Sequence, residues 1–135
     1  MATQILPLQI LNDGYRNATL KITGWVNAGD ITNYVVLDPS TLSQIDAQGT
    51  IPKLVRIKRI NFDIQDGIQV TLNWDGATPA LLWECAGRGE IKAASFGGIT
   101  DNATTPNGKI TLTTFGGAAT TALTSFTIVL EIIKD

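Results

Sequence analysis

From Ile68 to Trp74 every second residue is apolar: Ile68, Val70, Leu72 and Trp74. The same period of two runs through Ala18, Leu20 and Ile22, through Lys109 to Phe115, and through Phe126, Ile128, Leu130 and Ile132. Alternation of this kind gathers apolar side chains on one face of a strand, whereas a helix would scatter them. Turn signals interrupt the runs roughly every eight to twelve residues, among them Asn12-Asp13-Gly14, Asp66-Gly67, Asp75-Gly76 and Pro106-Asn107-Gly108. About eight strands in this rhythm predict an all-β fold, an antiparallel β-sandwich of jelly-roll or immunoglobulin-like topology. No strand–helix alternation supports a parallel sheet.

Within that frame, Asp38 to Ile45 is the one helical segment expected. Asp38 can cap the first amides and Pro39 suits the first helical position. The strand Lys53 to Ile64 changes phase: Val55 and Ile57 share one parity, and Ile60, Phe62 and Ile64 the other. A β-bulge at Lys58-Arg59 restores the facing. Its expected partner is the Ile68–Trp74 strand, because Asp66-Gly67 between alternating runs signals a hairpin. Leu81, Trp83 and Cys85 are expected on one face of the next strand. Ser125 to Lys134 is apolar on both faces near its end, as a central strand would be.

The chain divides into an extended arm, residues 1–14, and a β-sandwich domain, residues 15–135. The arm carries Ile5, Leu6, Leu8, Ile10 and Leu11 around Pro7. Proline removes a backbone donor, which confines such a segment to a sheet edge or a groove. Its apolar side chains need cover. Two placements supply it: the edge of its own sheet or a neighbouring subunit.

Composition removes most catalytic chemistry. There is no histidine and one cysteine. A serine or cysteine nucleophile lacks its usual base, and zinc lacks its usual ligands. Of the carboxylates, Asp63, Asp66, Asp75, Glu84 and Glu90, three lie in or beside turns, where aspartate is ordinary. We therefore expect no enzyme, no cofactor and no metal. Cys85 reads as a small buried hydrophobe; a reactive thiol would need Arg88 beside it. A net charge of −2 argues against nucleic acid. No apolar run approaches the roughly 18 residues of a membrane span. The opening residues lack a basic, apolar leader pattern, so synthesis in the cytoplasm is expected.

Two features have open readings. Lys53, Arg56, Lys58 and Arg59 are the solvated face of a strand or a contact strip for an acidic partner. Trp25, Trp74 and Trp83 belong to the core or, if exposed in a groove, to sugar stacking.

The runs Leu72-Asn73-Trp74-Asp75-Gly76-Ala77-Thr78, Gly87-Arg88-Gly89, Ser95-Phe96-Gly97-Gly98-Ile99, Gly108-Lys109-Ile110-Thr111-Leu112-Thr113-Thr114 and Ser125-Phe126-Thr127-Ile128-Val129-Leu130-Glu131 resemble small structural proteins of tailed bacteriophage particles. The likeness extends from Arg56 to the C-terminus, in texture and motif order. It implies a capsid decoration or cement protein, located in the virion and bound to the major capsid protein or another virion protein. It also implies a symmetric homo-oligomer, with a trimer favoured. The other reading is a carbohydrate- or receptor-binding module of a fibre or spike. An exposed tryptophan in a groove would favour the second, and an apolar patch or docked arm the first.

Overall fold

The structure, a computed structural model, describes residues 4–5 and 8–134, without the side chains of Gln4 and Phe96. The strands are β1 (Gln4–Ile5), β2 (Gln9–Asp13), β3 (Asn17–Val26), β4 (Tyr34–Leu37), β5 (Val55–Ile64), β6 (Gln69–Thr78), β7 (Ala80–Cys85), β8 (Arg88–Lys92), β9 (Thr104–Phe115) and β10 (Thr124–Lys134). The expected helix is a single 3-10 turn, Pro39–Thr41, capped as anticipated by Asp38, whose carboxylate accepts from the Ser40 amide at 3.0 Å. Two further 3-10 turns cover Ala94–Phe96 and Gly117–Ala119. No helix among the described residues is long and apolar enough to cross a membrane.

β3 pairs with β10, β4 with β9, β5 with β8 and β6 with β7, all antiparallel. This is the pairing of one long hairpin bent at the β6–β7 turn. The hairpin is wound so that successive pairs fall in alternate sheets, joined by β10–β5 and β9–β6. One sheet runs β1/β2-β3-β10-β5-β8 and the other β4-β9-β6-β7. Eight strands in a double Greek key make a jelly roll, which decides between the two expected topologies.

The alternating faces meet between the sheets. Leu20, Ile22, Ile57, Ile60, Phe126, Ile128 and Leu130 from the first sheet oppose Leu72, Trp74, Ile110 and Leu112 from the second, each under 2% exposed. Burying one such side chain contributes roughly 1.5–3 kcal/mol. β10 lies between β3 and β5, and its outward Val129 and Ile133 are half-buried, as expected of a central strand.

The bulge on β5 is present, but its partner differs from expectation. Arg59 stands opposite Glu131 and Ile57 opposite Ile132, so Lys58 is the extra residue against β10. β6 lies in the other sheet, and Asp66-Gly67 is a crossover, not a hairpin turn. Alternating runs on either side of a short turn bury their faces equally well side by side in one sheet or face to face across a core. Parity alone does not separate these arrangements. A second bulge corrects β7: Leu72 opposes Trp83 and Asn73 opposes Leu81, leaving Leu82 unpaired against β6. Leu82 turns inward at 5% exposure, and Leu81 is left 58% exposed.

The end of the arm and the last strand are tied by an ion pair whose lysine is buried. Lys134, 4% exposed, donates from Nζ to Asp13 Oδ1 at the end of β2, and to the Ser43 carbonyl and hydroxyl, both at 3.1 Å. Asp13 Oδ2 accepts from the Ser43 amide at 2.8 Å. Burial pushes the Asp13 carboxyl up. The hydrogen bonds from Lys134 and Ser43 and the Lys134 charge outweigh it, holding the group below the usual carboxylate value. Removing one member of a fully buried pair strands the other in a poorly solvated site. Lys134→Ala instead leaves Asp13 partly exposed and still bonded to the Ser43 amide, so unfolding stability in urea titrations at pH 7 is expected to fall by about 1–3 kcal/mol. Because the folded-state value of Asp13 is depressed, its contribution is present above the unfolded value of about 3.9 and is lost as pH falls through the folded value. The Lys134→Ala penalty should shrink accordingly below about pH 4, and a penalty independent of pH would refute this role for the pair.

Candidate functional site

β1 and β2 both run antiparallel to β3, with Ile5 opposite Gly24, Ile10 opposite Leu20 and Asp13 opposite Ala18. Within the chain, the arm therefore lies on the edge of its own sheet. The division at residue 14 falls in the β2–β3 turn. Leu6 and Pro7 lie outside the described residues. Ile5 and Leu8 are half-buried against the core. With Ile22, Tyr34, Val35 and Val36 they line a cavity of about 70 Å³. They thus seal the seam where β3 of one sheet meets β4 of the other.

The rest of the arm is not covered. Ile10 is 46% and Leu11 57% exposed. Leu11 occupies a bulge, because the register steps from Ile10–Leu20 to Asn12–Thr19. On β4, the facing edge of the second sheet, Tyr34 and Val35 are also exposed, at 48% and 44%. Edge strands in soluble proteins are commonly blunted with charge, lysine above all. Residues 4–12 carry no charged side chain, and Asp13 is turned inward to Lys134. One side of the sandwich thus presents two open strand edges with apolar side chains. The four-residue apolar run Tyr34-Val35-Val36-Leu37 carried this signal in sequence: an edge strand apolar throughout cannot cover all its side chains, and here a register shift after Val35 buries Val36 and Leu37 and leaves Tyr34 and Val35 exposed.

The basic residues do not join that surface. Lys53 is exposed just before β5; Arg56, Lys58 and Arg59 are half-buried on β5, with β10 and β3 between them and the arm. Arg59 pairs with Glu131 and, at 3.5 Å, with Glu90. Arg56 donates to the Gly97 carbonyl at 2.9 Å. Two of the four cations are thus engaged by acceptors of their own chain.

The remaining candidates are spread over the molecule. Trp74 is fully buried; Trp25 and Trp83 are half-buried, Trp83 against the core. A cleft of about 690 Å³ lies where β5 leads toward β6 and β7 toward β8. Its polar groups largely satisfy one another: Arg88 Nε meets Asp63 Oδ1 at 3.1 Å, and Gln65 Oε1 accepts from the Ser125 amide at 3.0 Å. Glu90 is paired with Arg59 and Lys92, and Asp75 accepts from Asn107 at 2.9 Å. Asp63 and Glu90 belong to one sheet, Asp75 and Glu84 to the other. Among the described residues no group of three or more histidine, cysteine, aspartate or glutamate side chains is placed to hold a metal ion.

Compared with known protein families, with curated proteins and with solved structures, the chain matches none.

Cys85 is fully buried on β7, and burial, reinforced by the charge of Glu84, pushes its thiol up to about 12. Arg88, the cation that a reactive thiol here would need, is turned to Asp63 instead. A thiol so held is protonated and shielded at pH 8. The native protein is expected to leave an aromatic disulfide reagent unreacted at that pH, and to give one equivalent of reaction in urea. Rapid labelling of the native protein would contradict this placement.

Proposed function

We propose that this protein is a non-enzymatic structural component of a virus particle, a decoration protein that docks on the outer surface of an assembled phage head. The observation that carries a docking role is the exposure of apolar side chains on two strand edges, Ile10 and Leu11 on one sheet and Tyr34 and Val35 on the other, with no charge between residues 4 and 12. The virion setting rests on the likeness of the segments from Leu72 to Glu131 to phage structural proteins.

Magnitudes favour repeated contacts. Burying the exposed halves of these four side chains contributes about 1 kcal/mol each. That total is at or below the roughly 4–15 kcal/mol that association costs in lost freedom. One isolated contact of this kind would be weak. A closed ring, a trimer in our reading, or a lattice that engages several copies at once makes the same contacts sufficient. A protein that binds the assembled lattice and not its dissociated subunits stabilises the lattice by mass action. The partner is the major capsid protein or another virion protein.

Purified particles of the source phage, separated on a density gradient and analysed by mass spectrometry, are expected to contain the chain in stoichiometric amount. The paired substitution Ile10→Asp and Leu11→Asp should leave the circular dichroism spectrum unchanged, because neither side chain is in the core. It should also render the protein monomeric in sedimentation and weaken particle binding at least tenfold. Absence of the chain from particles would refute the virion role. Unchanged oligomeric state and binding in the paired variant would refute the edge as the docking surface.

A further inference from the structure

On the outer face of the second sheet, bordering the start of β4, lies a hollow of about 480 Å³ lined by Thr32, Asn33, Thr71, Asn73, Thr113 and Phe115. Thr71 stands between Val70 and Leu72, which are fully buried, so its side chain points away from the core. It is nonetheless 8% exposed, and its hydroxyl oxygen is shielded from water with no hydrogen-bond partner among the described residues. A hydroxyl left so destabilises the protein, since an unmade hydrogen bond in a buried place is costly. Asn73, its neighbour on the same face, also makes no side-chain hydrogen bond among the described residues. Asn73 is open to something that enters the hollow, and the Thr71 hydroxyl, covered as it stands, reaches it by turning about the Cα–Cβ bond.

The wall is rigidly built. The Thr113 hydroxyl accepts from the Asn33 amide at 3.0 Å and donates to Asn33 Oδ1 at 3.3 Å. That leaves the Asn33 side-chain NH2 as a donor. Asn33 has φ 48°, a left-handed conformation that asparagine tolerates better than most residues. The Thr114 hydroxyl accepts from the Ile31 amide at 2.9 Å and donates to Asp30 Oδ1 at 2.8 Å. Asp30 also accepts from the Gly117 amide at 2.8 Å and the Ala118 amide at 3.2 Å. The one charged side chain at the hollow is therefore engaged in holding two loops together. No cation lines the hollow, so an anionic ligand would find no counter-charge. Phe115, 53% exposed, offers an aromatic face at the rim.

We infer that this hollow binds a neutral saccharide ring, its hydroxyls meeting Thr71, Asn73 and Asn33 and its apolar C–H face resting on Phe115. Neutral hydroxyl and amide groups, each able to donate or accept, match a polyol, and an aromatic plane matches the flat side of a sugar ring. The volume lies in the range of small-molecule sites. The prearranged wall lowers the ordering cost of binding.

The test is a titration of the intact protein, isotopically labelled, with methyl glycosides of glucose, galactose, mannose and N-acetylglucosamine, followed by backbone amide shifts. At least one glycoside is expected to shift residues 71, 73, 113 and 115 saturably, and Phe115→Ala and Asn73→Ala to weaken that binding at least tenfold. Thr71→Val separates a ligand role from a packing role. It should melt at the same temperature as the parent or higher, because it removes an unpartnered hydroxyl, yet bind the glycoside at least tenfold more weakly. No shift with any of the four sugars, shifts elsewhere on the surface, or full affinity in Thr71→Val and Phe115→Ala would overturn the inference. So would a nucleoside monophosphate or inorganic phosphate that occupied the hollow in preference to every sugar.

Discussion

The pairing of β10 with β3 on one side and β5 on the other is the constraint on which the rest of this jelly roll depends. β10 alternates without a break from Phe126 to Ile132, and its inward residues are all but inaccessible to solvent. Its partners must present apolar side chains in the same rows. β3 does so directly. β5 does so only because one residue, Lys58, is left out of the ladder, which brings Ile57 and Ile60 into the core together despite their opposite parity. The bulge is thus the adjustment that lets a strand with two phases lie against a strand with one. Without it, half of β5 would turn its isoleucines to water and its cations inward, and charge of that kind is not buried without a partner.

The same logic separates what was legible in sequence from what was not. Period-two faces, the capped turn at Asp38-Pro39 and the phase change at Lys58 are local patterns, and local patterns can be read from neighbouring residues. Sheet membership is not local. The runs on either side of Asp66-Gly67 belong to opposite sheets, a fact held in the pairing of β5 with β8 and β6 with β9, not in the turn. Parity places Leu81 inward, because nothing in Leu81-Leu82-Trp83 marks which leucine is the bulged one.

Candidate site residues divide in the same way. The apolar arm was visible as an anomaly, an apolar segment outside the regular pattern, and the structure shows which of its side chains the chain itself covers. Ile5 and Leu8 close the seam; Ile10 and Leu11 do not. The basic residues of β5 were visible as a cluster, but their neighbours on adjacent strands were not, and Glu90 and Glu131 occupy Arg59. Asp13 and Lys134 gave no signal, because a lysine at a strand end and an aspartate in a turn are ordinary until the fold sets them side by side. The hollow around Thr71 was equally silent. Threonine and asparagine on the outer parity of strands read as a solvated face, and only the burial of an unpartnered hydroxyl distinguishes this part of it.

The clamp between Asp13 and Lys134 joins residues separated by 121 positions. Every strand pair except β6–β7 in the rolled hairpin likewise waits on chain made later: β5 on β8, β4 on β9, β3 on β10. Topologies dominated by such distant contacts fold slowly, since loops must close before any contact rewards the closure. During synthesis β3 therefore emerges with its apolar face and its backbone edge uncovered, and stays so until β10 has been made. The β2–β3 hairpin is the early local structure available to it, and it shields one edge of β3 throughout that interval. The arm that borders the finished sandwich is in this sense also a guard for the unfinished one, protecting the strand that waits longest for its partner.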